Sequence, residues 1–407
     1  MIPIEKISRR DDCRNCHDKE HLFRWLSLGN QPLANNLLSE IGAPEDFFPL
    51  DVWYCTSCEL IQLRDVVSPK LLFDDYLYYS STSPVFVEHF KKLAEKQIYA
   101  GTVKKGDLIV DVGSNDGILL KPFAEFGCQV VGVEPAAEIA NFANKNGIPT
   151  INAWWDDAVS EEILKKYGKA KFICFTNVFA HLDNPGKVLE AVKNLLDKDG
   201  LLLIEVPYLP EMLKQGTFDL VYHEHLNYFH LSSLKDLLAR RGFYIVHYEF
   251  VPVHGGSIRI YATPYFEPAT SRAEDFGLIT TELFKSFPGK VVEIKNNICK
   301  TLERINPDKS IVGYGAPAKM STMLNFFLPD DMASRYFKFI IDDSPAKQGK
   351  FSPGNHLRIM PPPEDLNQLA DYLFLFAWNF KNSIIQKLRR KGYEGKFIIP
   401  FPKLTIT

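Results

Sequence analysis

The chain lacks a long apolar run. None of its segments approaches the roughly eighteen consecutive apolar residues that a membrane-spanning helix needs. The amino-terminal stretch MIPIEKISRRDD also lacks the apolar centre of a signal peptide. These two absences predict a protein without membrane attachment, located in the cytoplasm.

A strong charge of either sign is absent as well. Lysine and arginine total 47 and aspartate and glutamate total 50, which gives a formal net charge of -3. Such a balance provides no general attraction to nucleic acids or to anionic lipids, so we expect neither as a partner. The 407 residues exceed what one ordinary core accommodates, and this length predicts about two or three domains.

Cysteine is scarce, with seven residues in the chain, too few for a disulfide scaffold. Four of them form two CxxC pairs, Cys13 with Cys16 and Cys55 with Cys58. Two pairs of thiolates suit a tetrahedral structural zinc ion, and a site closed by four ligands leaves no position for a substrate. We predict one structural zinc ion at these cysteines. A redox dithiol is the alternative, but neither pair lies in a strand–helix redox motif.

A glycine turn follows a buried strand in GDLIVDVGSNDGILL. Asp111 ends this strand, and Gly113 and Gly117 allow a tight turn that brings the backbone close to a ligand. Glu134 ends the next strand, where an acid commonly accepts the ribose hydroxyls, and Asn177 ends the strand KFICFTN. These residues predict an adenosine pocket, although a glycine loop that serves only as a turn is the plainer alternative.

The spacing DxGxxxG is not the GxGxxG of dinucleotide-binding folds. It resembles the first motif of S-adenosylmethionine-dependent methyltransferases, with Asn115 at a position that is usually glycine. The resemblance implies S-adenosylmethionine as the cofactor.

The motif YHEHLNYF at 222–229 concentrates proton-transfer groups after another predicted strand. His181, in the loop FAHLDNP, also follows a strand, so both segments should overhang the same face as the glycine turn. A catalytic metal is one hypothesis for HEH, but the spacing is not the i, i+4 of HExxH. A general base and a merely polar loop are the other two hypotheses.

The last third contains a second strand, glycine turn and helix in KSIVGYGAPAKMSTMLNFF. The segments FKFIIDD and DYLFLFAWN add further strands, which predicts a second parallel-sheet unit. A helix start can hold phosphate, so Gly315, Lys319 and Asp342 are candidate contacts to a nucleotide, with Lys347 as a further cation. A simply solvated lysine is the ordinary alternative.

These motifs together resemble the sugar C-methyltransferases that build branched deoxysugars on nucleotide carriers. The resemblance is carried by the two CxxC pairs, FDDYLYYSSTSP, DVGSNDGILL, YHEHLNYF and GYGAPAK, and it covers essentially the whole chain. It implies an α/β protein with a zinc-binding domain (1–75), a Rossmann-like class I methyltransferase domain (76–265) and a Rossmann-like nucleotide-sugar-binding domain (266–407).

The resemblance also implies a substrate and a set of site residues. The implied substrate is a nucleotide-diphosphate-linked 4-keto deoxysugar, methylated at a ring carbon next to the ketone. Carbon 3 is favoured over carbon 5, and thymidine diphosphate is favoured over guanosine diphosphate as the carrier. Tyr79 is a predicted substrate contact. The catalytic candidates are Tyr76, Tyr222, Glu224, His225 and, from its loop, His181.

The chemistry makes sense of these residue types. Removing a hydrogen next to a ketone needs a positioned base and a donor that stabilises the enolate oxygen. Our hypothesis assigns His225 as the base, Glu224 as its tuner or a hydroxyl anchor, and Tyr222 or Tyr76 as the donor.

Two rival functions remain. One is a methyltransferase for RNA or protein, with the zinc module as recognition element, which would need a continuous basic groove, whereas the sequence shows only short basic clusters. The other is a non-enzymatic scaffold protein.

Overall fold

A computed structural model of the chain describes residues 6–73, 79–265, 281–329 and 332–407. Two large, mostly parallel sheets carry helices, and a smaller antiparallel sheet belongs to the amino-terminal region. The predicted α/β class is therefore confirmed. Within the described ranges, no helix is both long and apolar enough to cross a membrane.

The amino-terminal region, here called the zinc module (residues 6–73), is built mainly from antiparallel strands. Its elements are β1 (Ile7–Arg9), β2 (Leu22–Pro32), β3 (Phe47–Cys55), β4 (Ile61–Leu63), β5 (Asp65–Val67) and α1 (Pro69–Phe73). The first CxxC pair precedes β2, and the second spans the turn that follows β3. Because β2 and β3 pair along most of their length, the two cysteine pairs lie at the same end of the sheet.

The central region forms a seven-stranded sheet. Its strands are β6 (Leu108–Val112), β7 (Gln129–Val133), β8 (Thr150–Ile151), β9 (Ala170–Thr176), β10 (Leu196–Pro207), β12 (Tyr244–Val251) and β13 (Ser257–Thr263). The order is β12-β13-β10-β9-β6-β7-β8, and β13 runs antiparallel to both of its neighbours. The segments FYIVHYEFVP and GGSIRIYATP predict an antiparallel pair that closes the sheet, and the pairing of β12 with β13 confirms it.

Helices cover this sheet, so its inner strands are buried, as their continuous apolar runs predict. The helices are α2 (Pro84–Tyr99), α3 (Leu120–Phe126), α4 (Ala137–Lys145), α5 (Asp157–Tyr167), α6 (Pro185–Leu195), α7 (Leu209–Gln215) and α8 (Leu231–Ala239). One prediction was wrong in detail. The segment EAVKNLLDKDG predicts a helix that stops at Gly200. The helix α6 ends instead at Leu195, because Leu196 already pairs with Ala170 at the start of β10.

The carboxyl-terminal region forms a second, six-stranded sheet. Its strands are β14 (Ile311–Tyr314), β15 (Phe337–Ile341), β16 (Ile359–Met360), β17 (Tyr372–Leu375), β18 (Lys396–Ile399) and β19 (Thr405–Ile406). Its helices are α9 (Thr281–Arg304), α10 (Ala318–Phe327) and α11 (Lys381–Arg390). Among the described strands of this sheet, β18 and β19 pair antiparallel and the other pairs are parallel, so the predicted second parallel-sheet unit is confirmed.

One short strand ties the regions together. β11 (Asn227–Tyr228) lies within YHEHLNYF, between elements of the central region. It belongs to the sheet of the zinc module, where it pairs with β4. A single apolar core also runs from the zinc module through residues 209–228 into the carboxyl-terminal sheet. The predicted domain limits at 75/76 and 265/266 remain predictions, since 74–78 and 266–280 lie outside the described residues.

Candidate active site

The four paired cysteines converge on one point. Their Sγ atoms all lie within 4.8 Å of one another, and the pairs Cys13–Cys58 and Cys16–Cys55 are each 3.5 Å apart. Four thiolates about 2.3 Å from a tetrahedral zinc ion would be about 3.8 Å apart. The donor set therefore fits one zinc ion, which fills its coordination shell with protein ligands and so serves structure.

The glycine turn has the geometry that its sequence predicts. Gly113 and Gly117 have φ values of 67° and 80°, and a Cβ at Gly113 would collide with the Val178 side chain. Asn115 has a φ of 49°, a left-handed conformation that asparagine tolerates better than most residues. Its Oδ1 accepts a hydrogen bond from the backbone N–H of Ser80 at 2.8 Å. This explains physically how asparagine occupies a position that is usually glycine.

Buried acceptors surround this turn, and two of them have no protein donor among the described residues. Glu134 is held by the backbone N–H groups of Ala136 (2.9 Å) and Asn115 (3.0 Å), and burial raises its pKa. Asp111 Oδ1 and Asn177 Oδ1 are buried with no hydrogen-bond partner among the described residues. Burial and the charge of Glu134 raise the pKa of Asp111 well above its ordinary value. These acceptors fit a ligand that brings hydroxyl and ammonium donors, as S-adenosylmethionine does.

A cavity of about 870 Å³ opens from this turn, within the size range of small-molecule sites. All three regions of the chain contribute to its wall. Its polar lining includes Asn35, Asp111, Asn115, Glu134, Asn177, His181, Tyr222, Glu224, His225, Lys319, Lys347 and Asn379.

Tyr222 and His225 form a hydrogen-bonded pair in the cavity wall. His225 Nδ1 lies 2.7 Å from the Leu220 carbonyl oxygen, which can only accept, so Nδ1 carries the proton. The other ring nitrogen, Nε2, therefore has a free electron pair, and the Tyr222 hydroxyl donates to it at 3.0 Å. This tautomer gives His225 a basic nitrogen on the side of Tyr222.

Glu224 is a buried acid in the same wall. Its side chain accepts one hydrogen bond, from Asn35 Nδ2 to Oε1 at 2.7 Å. Burial raises the pKa of Glu224 to about 7, and the bond from Asn35 opposes part of this rise. The carboxyl therefore changes its charge near neutral pH.

His181 packs against the pair from the neighbouring loop. Its ring centroid lies 5.0 Å from that of His225 and 5.8 Å from that of Phe73. Burial lowers the pKa of His181 to about 4, so the ring is neutral at pH 7. Its Nδ1 is buried without a hydrogen-bond partner in the described part of the chain.

The two histidines of HEH have different partners. His223 Nε2 lies 3.3 Å from the Phe48 carbonyl oxygen in the zinc module, whereas His225 bonds to Leu220 and Tyr222. Among the described residues, the group whose ligand atoms converge tightly enough for a metal ion is that of the four cysteines. The geometry gives no support to a catalytic metal at HEH.

Two predicted tyrosines are not placed beside the motif. Tyr76 lies outside the described residues. Tyr79 is absent from the cavity lining, and its ring packs edge-on against Phe142 of α4 at 5.2 Å. Its predicted contact with the substrate stays a prediction.

The carboxyl-terminal region contributes two cations to the cavity lining, the buried Lys319 and the half-buried Lys347. Lys319 Nζ donates to Asn379 Oδ1 at 2.6 Å, lies 3.9 Å from Asp219 Oδ2 and sits 4.4 Å from the Trp378 ring centroid. Burial lowers the pKa of Lys319 to about 8. Lys347 Nζ donates to the Ala316 carbonyl at 2.8 Å. Neither side chain is the solvated lysine of the plainer alternative.

Gly315 and Asp342 shape the loop beneath these cations without lining the cavity. Gly315 has a φ of 86°, and a Cβ there would lie 2.8 Å from Ala377 Cβ. Asp342 accepts hydrogen bonds from the backbone N–H groups of Ala316 (2.6 Å) and Ser344 (2.8 Å). Their predicted role in substrate binding is untested, and their visible contacts are within the loop.

Sequence reasoning missed Asn35 and Asn379, which border the cavity, and Arg14, which is fully buried beside it. Arg14 lies between Cys13 and Cys16 and bonds to Asp183, two residues after His181. These contacts join residues that are far apart in the chain, so no local sequence pattern predicts them. The only available signal was the position of Arg14 inside a metal-binding pair.

Three family models match the chain. They describe a zinc binding domain at residues 13–73, a methyltransferase domain at 87–248 and a C-methyltransferase C-terminal domain at 252–402.

Similar proteins include the C-methyltransferase NovU from Streptomyces niveus, 36% identical across 97% of this chain and 96% of that protein. A ubiquinone biosynthesis O-methyltransferase from Glaesserella parasuis is 30% identical over 24% of this chain and 44% of its own length. Among solved structures, magnesium protoporphyrin IX methyltransferase from Synechocystis with bound S-adenosylmethionine matches 43% of this chain and 78% of its own, at 15% identity and a TM-score of 0.33. From its match to NovU along nearly the whole length, the chain belongs to the C-methyltransferase family and is an S-adenosylmethionine-dependent enzyme with an amino-terminal zinc-binding domain.

Proposed function

We propose that the enzyme methylates carbon 3 of a nucleotide-diphosphate-linked 4-keto deoxysugar. The observation that carries the proposal is the shared cavity. Its lining combines the cofactor turn at Asp111 and Glu134, the Tyr222–His225 pair with Glu224, and the cations Lys319 and Lys347. A ligand with a reactive ring between a cofactor and a diphosphate needs these three sets of groups in one cavity.

The Tyr222–His225 pair suits removal of a proton next to a ketone. His225 Nε2 takes up the proton, either directly or through the Tyr222 hydroxyl that bonds to it at 3.0 Å. The electron pair of the broken C–H bond moves into an enolate, whose oxygen needs a hydrogen-bond donor. Tyr222 is one candidate donor, and Tyr76 remains a sequence-based one.

The cofactor turn supports the second step. When bound there, S-adenosylmethionine supplies an electrophilic methyl group. The enolate carbon forms the new C–C bond as the methyl–sulfur bond breaks and its electrons stay with sulfur. The chain contributes placement and exclusion of water, and such positioning supplies much of the acceleration of an in-line displacement.

Glu224, Lys319 and Lys347 are assigned to substrate binding. An ionised Glu224 can accept a hydrogen bond from a sugar hydroxyl through the oxygen that Asn35 leaves unoccupied. Lys319 and Lys347, near the start of α10, offer positive charge to a diphosphate. Thymidine diphosphate is the favoured carrier, and guanosine diphosphate is the alternative.

The test is methyl transfer to a panel of nucleotide-linked 4-keto-6-deoxysugars. The protein is incubated with each sugar and methyl-labelled S-adenosylmethionine, and mass spectrometry locates the label. We expect label on carbon 3 of one member, and we expect His225→Asn to abolish exchange of that ring hydrogen with heavy water while cofactor binding persists. Exchange at the wild-type rate in His225→Asn would refute the assigned base. Absence of transfer to every member, with cofactor bound, would favour a macromolecular substrate.

A further inference from the structure

The zinc module makes a series of hydrogen bonds to residues 223–230, here called the catalytic loop. Its contacts with residues 223–230 are Phe48 O with His223 Nε2 (3.3 Å), Asn35 Nδ2 with Glu224 Oε1 (2.7 Å), Leu63 N with Leu226 O (2.9 Å) and Glu59 O with His230 Nε2 (3.0 Å). In addition, β4 pairs with β11. Of these contacts, the one from Asn35 reaches a side chain that borders the cavity and changes its charge near neutral pH.

Asn35 is well placed to act as a fixed donor. It lies in a tight turn after β2, in which the N–H of Asn36 donates to Leu33 O at 3.1 Å. On one side of the turn, Leu33 is buried against Phe48 and Val67. On the other side, Leu38 forms a β-bridge with Phe351 of the carboxyl-terminal region. The turn is therefore anchored at both ends.

Glu224 depends on this donor. Only 4% of the residue is exposed, and Asn35 is its one side-chain hydrogen-bond partner among residues 6–73, 79–265, 281–329 and 332–407. A donor on one carboxylate oxygen fixes the plane of the carboxylate and stabilises its charged form, because a hydrogen bond to an ion is stronger than one to a neutral group.

We propose that Asn35 is a positioning residue through which the zinc module orients the Glu224 carboxylate toward the substrate. The inference rests on the proposed function, in which Glu224 contacts the sugar. It gives the module a part in catalysis that needs no chemistry at the metal. Asn35 acts through Glu224 and forms no bond in the reaction.

The first experiment reads Glu224 without any substrate. Protein labelled with ¹³C at the glutamate side-chain carboxyl is titrated by NMR in its zinc-bound form, and the Glu224 signal is assigned by its loss in Glu224→Gln. We expect Asn35→Ala to raise the titration midpoint by about one pH unit, since a charged hydrogen bond is worth roughly this much. Asn30→Ala, the same change at an exposed position of β2 in the same module, should leave the midpoint unchanged. An unchanged midpoint in Asn35→Ala would overturn the proposal.

The second experiment follows activity on the sugar identified by the panel. Asn35→Ala should lower kcat about tenfold at pH 6.5, with partial recovery at pH 8.5 as Glu224 becomes ionised. Cofactor affinity, zinc content and melting temperature should stay at wild-type values, and Asn35→Gln, which keeps an amide donor, should restore part of the rate. An equal loss at every pH would also contradict the proposal. A wild-type protein that methylates no nucleotide sugar would contradict the proposed function alone, because the titration needs no substrate.

Discussion

At the scale of single residues, two adjacent side chains carry different tasks because they have different partners. His225 is fixed by a carbonyl, which selects its tautomer, and Glu224 is fixed by an amide, which selects its orientation. The sequence HEH brings three ionisable groups together, but the backbone turns His223 toward Phe48. His223 therefore bonds to the zinc module, whereas Glu224 and His225 line the cavity.

Glu224 also makes the stability of the protein depend on pH. Burial raises its pKa from 4.5 to about 7, so the fold favours the protonated form. The contribution of the protonated Glu224 to the free energy of unfolding is fully present below pH 4.5 and is lost as the pH rises through 7. We take the difference in the free energy of unfolding between Glu224→Gln and wild type at pH 4.5 as the reference. At pH 8.5, we expect this difference to have shifted in favour of Glu224→Gln by up to roughly 3 kcal/mol.

Denaturant unfolding of both proteins at pH 4.5 and 8.5 checks this expectation. The informative quantity is the change with pH in the difference between the two free energies of unfolding. A difference that stays constant between the two pH values would show that Glu224 does not titrate in this range.

At the scale of elements, the knuckle between Cys13 and Cys16 is joined to the loop that carries His181. The Arg14 side chain is fully buried, and it donates to Asp183 Oδ1 at 3.0 Å, to Gln62 Oε1 at 3.1 Å and to the Leu63 carbonyl. Burial lowers the pKa of Arg14 to about 10, which leaves it charged at neutral pH. One side chain thus links the metal-binding turn, β4 and the 181–183 loop.

Arg14→Ala should therefore destabilise the protein markedly. The buried Leu63 carbonyl loses the hydrogen bond from the Arg14 guanidinium, and Gln62 Oε1 keeps only the bond from the backbone N–H of residue 14. The large side chain also leaves a space. We expect a loss of about 2–4 kcal/mol in the free energy of unfolding. The matched control is Arg24→Ala in β2, where an exposed arginine lies 3.4 Å from Asp51, with an expected change of at most about 0.5 kcal/mol. Equal effects in the two variants would show that the contacts of Arg14 contribute nothing specific.

Local sequence was sufficient to predict some elements but not the bounds of others. The strands at Leu108–Val112 and Ala170–Thr176 were predictable because buried parallel strands are continuous apolar runs. The end of α6 was not, because Asp197, Lys198, Asp199 and Gly200 read as a helix stop and a turn, while strand pairing with Ala170 begins at Leu196. A tertiary contact outweighed a local preference at that point.

At the scale of the whole molecule, the zinc module forms part of the cavity of the candidate active site. Its sheet is completed by β11, and its turn at Asn35 borders the cavity. The cofactor turn, in contrast, is built on β6 and β7 of the central sheet. Metal binding and cofactor binding therefore rest on different parts of the structure.

Removal of zinc should separate these two functions. We expect a chelator to abolish methyl transfer, because the module unfolds and β11 loses its partner strand, while S-adenosylmethionine still binds with an affinity within about threefold of the original. Metal analysis, circular dichroism and calorimetric cofactor binding on the same sample check this. The control is Cys128→Ser. Because Cys128 lies outside the metal group, this variant should keep its zinc and its activity. Full transfer by zinc-free protein would show that the catalytic loop does not depend on the module.

By itself, the sequence determined the features that local chemistry imposes. Two CxxC pairs predict a metal site because thiolates three residues apart can grip one ion, and DVGSNDG predicts a nucleoside turn because few residues adopt its backbone conformation. Only the tertiary structure decided that Asn35 bonds to Glu224, that Arg14 bonds to Asp183 in the loop of His181, and that Lys319 lines the same cavity as YHEHLNYF. Asn35 and Glu224 are 189 positions apart, and a contact across such a separation depends on how sheets pair and cores merge. No spacing or periodicity in the sequence encodes such a contact, so it appears only when the chain is folded.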